Sequence, residues 1–363
     1  MLIKIRTGHE MIALDDKTTI IGSPTPGLAQ SFPDPEQKIL RYLSPLLSHA
    51  ISYDTAVSDF SSASSIPISF ARKIIDSFIE NGHIELVSPS QTLSLEDQER
   101  YSRSVAYLDW INRGPISTRW ESIETLQEKN VAILGMGGIG GGIAYNLISS
   151  GIKNLTIVDF DTVELSNLNR QILFDLESVG KPKTDQAAKR LKEYNPNINI
   201  VTIEQKIDSE DCLEKVLTSE FDFLLCCADT PNEIYDWINS YCVKNEIAWM
   251  LASYNGPIIQ CGIFVPKKTG CYTCFMESAI KNLHDHNRST SYLNDPRHEI
   301  TPAFGPVVQI ASGLASYEAI RYLLNLNPQT VGNVMHQNLY QYDASYSIPV
   351  PNECPHFLNG EKK

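Results

Sequence analysis

The chain has 363 residues, enough for two or three domains or for one large domain with an appendage. Hydrophobic residues make up 42% and charged residues 20%, the balance of an ordinary soluble globular protein. A net charge of −13 excludes the basic surplus expected of a nucleic-acid binder.

The opening MLIKIRTGHE carries charges where a signal peptide needs an apolar core. The uncharged run Val131–Ile152 has the length of a membrane span, but its seven glycines, Tyr145 and Asn146 suit a nucleotide loop better, so no membrane segment is expected. Eight cysteines, all beyond residue 211, are too sparse for a disulfide framework. A cytoplasmic protein with reduced thiols is expected, with Cys226 and Cys227 of FDFLLCCAD as small core residues.

Residues 1–88 read as a separate small unit. Ile3 and Ile5 alternate with Lys4 and Arg6, and MIALDD and KTTIIGS suggest further short strands. DPEQKILRYLSPLL has a proline-led helical start, a short helix is expected near Tyr53–Phe60, and ISFARKIIDSFIENG sets Phe70, Ile74, Ile75, Phe78 and Ile79 at helical spacing before the C-cap candidate Gly82. HIELV closes as a strand, giving an α+β, winged-helix-like pattern. Arg72 and Lys73 are the only bases on the best helix, which disfavours a DNA-reading winged helix.

SPSQTLSLED, residues 89–98, reads as a polar linker, and ERYSRSVAYLDWI as a helix carrying Arg100 and Arg103. Val131–Leu134 is a short buried strand. Gly135, Gly137 and Gly140 form a G-x-G-x-x-G turn, with Gly138 inside it, leading to a helix starting near Ile143. The strand Leu155–Val158 then ends at Asp159. Glycines admit phosphates to the backbone, a helix N-terminus favours their charge, and an acid about 20 residues on can hold ribose hydroxyls.

A loop with Lys181, Pro182 and Lys183 leads to an amphipathic helix ending near Asn195-Pro196, and NINIVTIEQKI reads as a strand. FDFLLCCAD is an apolar strand ending at Asp229; TPNEIYDWINSYCVKNE is a helix, and IAWMLASYNG and IIQCGIFVP are strands. This alternation predicts an α/β fold, a doubly wound and mostly parallel sheet covered on both faces, with residues 89–363 as its domain. Ligands bind such sheets beyond the carboxyl ends of the strands, where Asp159 and Asp229 both fall.

The glycine loop first suggests a dinucleotide-dependent oxidoreductase, but the segments around it point elsewhere. RYSRS at 100–104, GMGGIGG at 135–141, DFDTVELSNLNRQ at 159–171, GKPKTDQAA at 180–188, CADT at 227–230 and GPVVQIASGLASYEAIRYL at 305–323 occur in order across roughly residues 100–330. In these pieces the chain resembles the ubiquitin-activating-like (ThiF/MoeB) adenylyltransferases, nearest to the branch that matures the peptides of microcin C and pantocin A biosynthesis. The N-terminal pattern is similar to the peptide-recognition domain of such enzymes, in which a leader peptide adds a strand to a sheet edge.

The resemblance implies ATP and Mg²⁺ as cofactors. It places Asp159 on the ribose, Asn167, Arg170 and Lys183 on the phosphates, and Asp229 on Mg²⁺. Gly135, Gly137, Gly138, Gly140, Asp161 and Gln171 complete the nucleotide contacts. Arg103 matches an arginine that reaches the γ-phosphate from the neighbouring subunit, so a homodimer is implied. The implied chemistry is activation of a carboxyl or carboxamide by attack on the α-phosphate.

Two departures from the family pattern bear on function. Relatives often bind a structural zinc through two C-x-x-C pairs. Here Cys271 and Cys274 form one pair, but the second reads Cys354-Pro-His356-Phe357, so a Cys₃His site of Cys271, Cys274, Cys354 and His356 is expected, the alternative being that zinc was lost. No cysteine occurs from Phe275 to Glu353, the interval where thioester- or persulfide-forming relatives carry theirs. Activation without covalent hand-over is therefore expected. The crossover loop, about 276–302, carries His284, His286, Arg288, Arg297 and His298 and is a candidate substrate lid.

The expected substrate is a ribosomally made precursor peptide whose leader the N-terminal domain binds. Either a terminal asparagine is joined to the nucleotide phosphate, as in microcin-C-like chemistry, or glutamates are cyclised with loss of water, as in pantocin-A-like chemistry. The loop's basic and imidazole groups favour the second. The rivals are a sulfur-carrier protein adenylyltransferase acting on a Gly-Gly tail and a nucleotide-binding scaffold without turnover.

Overall fold

The computed structural model describes residues 1–22, 29–90, 92–112, 114–115, 118–285 and 302–358. The backbone forms two compact units, Met1–Thr125 and Leu126–Lys363.

The first unit is α+β, with two three-stranded antiparallel sheets. Strands β1 (Leu2–Ile5), β5 (Ile51–Ser52) and β6 (Ile84–Leu86) form one in the order β5-β1-β6; β2 (Glu10–Ala13), β3 (Thr18–Gly22) and β4 (Ala29–Pro33) form the other in sequence order. Helix Tyr53–Ser64 starts where Ser52 Oγ accepts from the Thr55 amide, and helix Ile68–Glu80 buries Ala71, Ile75 and Phe78. These apolar faces join Ile3, Ile21, Leu43 and Ile84 in one core.

The segment expected as one helix, DPEQKILRYLSPLL, is instead broken into a 3₁₀ turn (Pro35–Gln37), a π turn (Ile39–Leu43) and a short α turn (Ser44–Leu47). Asp34 accepts from the amides of Ile39 and Leu40, and Pro45 has no N–H to extend the ladder. The polar stretch 89–98 lies inside the first unit, because helix Leu95–Ile111 buries Tyr101, Val105 and Leu108 and sets Asp109 3.7 Å from the buried Arg6.

The second unit is built on an eight-stranded sheet in the order β14-β13-β12-β11-β10-β7-β8-β9. Its strands are β7 (Asn130–Leu134), β8 (Asn154–Val158), β9 (Asn199–Ile203), β10 (Phe223–Cys226), β11 (Trp249–Asn255), β12 (Ile258–Phe264), β13 (Asn333–Asn338) and β14 (Tyr346–Pro349). Strands β7 to β11 pair in parallel, whereas β12, β13 and β14 add antiparallel. The chain leaves β7 towards β8 and returns to β10 on its other side, which opens a switch point between the carboxyl ends of β7 and β10. Strands β13 and β14 are not expected from sequence, because their mixed polar residues lack the apolar run of a buried strand.

The helix after β7 runs Gly138–Ser150, five residues earlier than the glycine-rich sequence suggested. Tertiary packing overrides the low propensity of glycine here. A Cβ on Gly142 would sit 2.5 Å from Ser312 Oγ, so only glycine lets helix Gly305–Leu323 lie this close. Among the described residues no helix is long and apolar enough to cross a membrane.

Candidate nucleotide and metal sites

The candidate nucleotide site lies at the switch point. Gly135 ends β7 in the left-handed region at φ +91, and a Cβ there would meet the Ala228 amide nitrogen at 2.8 Å. A Cβ on Gly140 would fall 1.9 Å from the Gly135 carbonyl oxygen. The loop is thus wedged against the end of β10, one residue from Asp229. The helix starting at Gly138 has no capping side chain, so its first N–H groups remain available to an anion.

Asp159 is buried at the end of β8. One carboxylate oxygen accepts from the Met136 amide at 2.6 Å and the other from the Asp161 amide at 2.8 Å. Burial raises its pKa; those amides and the charge of Lys183 oppose the rise. Each oxygen keeps acceptor capacity for a ribose hydroxyl. The Lys183 ammonium meets Asp161 Oδ2 at 2.7 Å.

Asn167 is buried in a short 3₁₀ turn, where its Oδ1 accepts from the Glu164 amide at 3.1 Å. Arg170 is fixed from behind, its guanidinium donating to the Ser166 carbonyl and to Asn169 Oδ1, both at 3.0 Å. Its own carbonyl accepts from Gln309 at 3.3 Å. Gln171 is buried, with Oε1 unpartnered and its amide nitrogen on the side of Gly137. Asp229 is exposed, its carboxylate held by Thr230 Oγ1 at 3.3 Å.

The second unit therefore brings Gly135, Gly137, Gly138, Gly140, Asp159, Asp161, Asn167, Arg170, Gln171, Lys183 and Asp229 around one switch point. Fixed cations, open amides and an exposed carboxylate match a magnesium-bound nucleoside triphosphate. Arg103 stands exposed on helix Leu95–Ile111 of the first unit. His286, Arg288, Arg297 and His298 lie outside the described residues, as does the side chain of His284.

The four expected metal ligands also converge. Cys271 and Cys274 flank the start of helix Tyr272–Asp285, and Cys354 and His356 come from the C-terminal segment. Their ligand atoms all lie within 4.8 Å of one another. The Sγ atoms of Cys271 and Cys354 are 3.9 and 3.6 Å from that of Cys274, and His356 Nδ1 is 3.5, 3.4 and 3.6 Å from the sulfurs of Cys271, Cys274 and Cys354. Tetrahedral zinc, with Zn–S about 2.3 Å and Zn–N about 2.0 Å, sets S···S near ~3.8 Å and S···N near ~3.5 Å. The donor set fits zinc. Glu277 Oε1 lies 3.9 Å from His356 Nε2, on the side away from the sulfurs.

Tyr254, half-buried at the end of β11, was not singled out from sequence. Its position depends on strand pairing, which no local pattern announces.

Comparisons with known proteins bear on these sites. The ThiF family model matches residues 101–355. Molybdopterin-synthase adenylyltransferase of Haemophilus influenzae is 36% identical over 150 residues; the match covers 41% of this chain, and the chain spans only 57% of that relative's length. Sulfur carrier protein ThiS adenylyltransferase of Escherichia coli is 31% identical over 228 residues, covering 62% of this chain and 82% of that one. The crystal structure of E. coli MccB superposes with a TM-score of 0.77 at 23% identity, covering 100% of this chain and 99% of that one. A likeness at that identity establishes the fold, including that of the N-terminal unit.

Proposed function

The chain belongs to the ThiF family, and we propose that it is an ATP-dependent adenylyltransferase-type enzyme activating a carboxyl or carboxamide group on a ribosomally made precursor peptide. The observation that carries this reading is the meeting of the glycine loop, Asp159, Arg170, the Lys183–Asp161 pair and Asp229 at one switch point.

In the proposed reaction an acyl oxygen attacks the α-phosphorus, the bond from that phosphorus to the β-phosphate oxygen breaks, and pyrophosphate leaves. A carboxylate is already ionised at neutral pH, so no base is needed. Asp159 holds the ribose. Lys183 and Arg170 oppose the charge growing on the leaving pyrophosphate, and Asn167 and Gln171 line its path. Asp229 would hold Mg²⁺, which neutralises phosphate charge when bound. Arg103 is proposed to act from the second copy in a homodimer. Cys271, Cys274, Cys354 and His356 would hold a structural zinc.

The first unit supports the peptide assignment. A cavity of about 570 Å³ lies between β4 and helix Ile68–Glu80, lined by Phe32, Phe70, Ile74 and Phe78 with Lys38 and Lys73. Strand β4 ends its sheet among the described residues, so an extended leader can add beside it and seat apolar side chains in the cavity. One solved structure that aligns over 98% of this chain, at 24% identity, is the microcin C7 biosynthetic enzyme MccB in complex with N-formylated MccA.

A second reading, adenylation of a sulfur-carrier protein, is favoured by the 31% identity to the ThiS adenylyltransferase. The family match begins at residue 101, so this reading leaves both sheets of the first unit without a task. Mass spectrometry of candidate peptides and of a Gly-Gly-tailed carrier protein, each incubated with enzyme, ATP and Mg²⁺, separates the two. Loss of water or gain of a nucleotide on a peptide is the expected result. Turnover of the carrier alone would reverse the order of the readings.

A further inference from the structure

Tyr254 is a polar side chain near the carboxyl end of β11, the strand beside β10, that the proposed reaction has not used. Strand β10 pairs with β11 in a parallel register that sets Leu224 beside Trp249, Leu225 beside Met250 and Cys226 beside Leu251. Beyond Cys226 the chain leaves β10 towards Asp229, while β11 runs on to Asn255 with Tyr254 near its carboxyl end. Trp249 and Leu251 enter the core that Leu224 and Cys226 also enter, so alternation turns Met250, Ala252 and Tyr254 to the opposite face. Cys227 meets the glycine helix on that face, with its Cβ 3.3 Å from where a Cβ on Gly140 would stand.

The Tyr254 phenol is half-buried and has no hydrogen-bond partner among the described residues. Burial raises its pKa; the positive charge of Arg170 opposes this and the negative charge of Asp229 adds to it, so both groups act on the same hydroxyl. It is a protonated donor at neutral pH, near the carboxyl end of β11 beside the strand that leads to Asp229.

We propose that Tyr254 positions the acyl group, its O–H donating a hydrogen bond to the carbonyl oxygen of the group being activated. The phosphates already have cationic partners in Lys183 and Arg170, whereas an acyl carbonyl has been given no donor by any other side chain. A neutral phenol suits this oxygen because it orients the group without drawing a phosphate away from Arg170. No proton changes hands. The inference rests on the adenylation reading and adds the residue that selects and orients the acyl end.

The test compares wild type with Tyr254→Phe in the full chain, using AMP and a non-hydrolysable acyl-adenylate mimic, 5′-O-[N-(N-acetylglycyl)sulfamoyl]adenosine, as calorimetric probes with Mg²⁺ present. Wild type is expected to bind the mimic more tightly than AMP. In the variant, affinity for the mimic should fall about fivefold to tenfold, the loss of one hydrogen bond, with AMP affinity unchanged. Equal affinity of wild type and variant for the mimic overturns the proposal, as does a parallel loss on AMP, which would make Tyr254 a contact to the nucleotide. Failure of wild type to bind either probe overturns the adenylation reading and this inference with it.

Discussion

Lys183 and Asp161 form an ion pair of 2.7 Å in which the lysine side chain is 8% exposed and the aspartate 47%. The same two residues are also joined through the backbone, the Lys183 amide donating to the Asp161 carbonyl at 2.9 Å. The ammonium is therefore fixed on the protein side while its partner faces solvent, so an arriving polyphosphate finds the charge already placed. Lys183→Ala should weaken ATP binding by roughly tenfold to a hundredfold, the worth of one charge-assisted contact, and leave AMP nearly untouched. Calorimetry with both nucleotides checks this. Equal weakening of the two would remove the lysine from the phosphates.

Alanine in a helix normally stabilises it relative to glycine by about 1 kcal/mol. Gly140 should reverse that sign, because the added Cβ would overlap a backbone oxygen 1.9 Å away and neither atom can swing aside. Gly140→Ala is expected to cost at least about 3 kcal/mol, a fall in Tm of roughly 6–12 °C. Gly180 supplies the contrast: its φ is +83 but nothing lies within 4 Å. Gly180→Ala should lower Tm by only about 2–8 °C, the strain of one left-handed residue.

Zinc content provides an independent test of the cysteine cluster. Protein purified without added metal should carry about one zinc per chain, and Cys271→Ser should lose it. His356→Ala should weaken retention against a chelator without abolishing binding, since three thiolates remain. An unchanged metal content in Cys271→Ser would exclude the site.

In the first unit two buried groups titrate in opposite senses. Burial raises Asp109 to about 7, opposed by Arg6, while burial lowers His9 to about 4, partly offset by its hydrogen bond to the Asp109 carbonyl. Between the unfolded value near ~4 and about 7, folded Asp109 holds a proton that the unfolded chain has lost, so its contribution to stability declines as pH rises. Between about 4 and the unfolded value near ~6.5, the unfolded chain protonates His9 and the folded chain does not, so stability rises with pH. The two trends oppose each other between about pH 4 and 6.5. Asp109→Asn should unmask a rise in stability across that window and His9→Gln a fall. Denaturant melts at several pH values, followed by tryptophan fluorescence with Trp237 and Trp249 replaced by Phe so that the signal reports the first unit, measure both; variants with the same pH slope as this background would rule out the opposition.

The sequence made the nucleotide site legible because its parts are local: β7, the glycines, β8 and Asp159 fall within one short stretch, and helix Ile68–Glu80 carries its whole apolar face in one period. The helix start at Gly138 is obscured because glycine propensity argues against it, and the helix that packs closely on Gly142 through Ser312 comes from about 170 residues away. Asp161 looked like a nucleotide contact and is also the partner of Lys183, a pairing across 22 residues that composition could not suggest. The broken segment after Asp34 failed for a smaller reason. A single carboxylate captures two amides that a regular helix would have used.

The cysteine cluster also has a consequence for chain entropy. Cys274 and Cys354 meet across 80 residues, and the span between them contains the crossover segment, helix Gly305–Leu323, β13 and β14. A metal seated there would close that span as a cross-link does, removing about 4.5 kcal/mol of loop-closure freedom from the unfolded chain by the relation used for disulfides of this size. Because that cost rises only with the logarithm of loop length, the crossover segment could gain or lose many residues at little expense to the clip. The C-terminal strands would stay registered on the sheet while the loop between the two anchors diverged to suit different substrates.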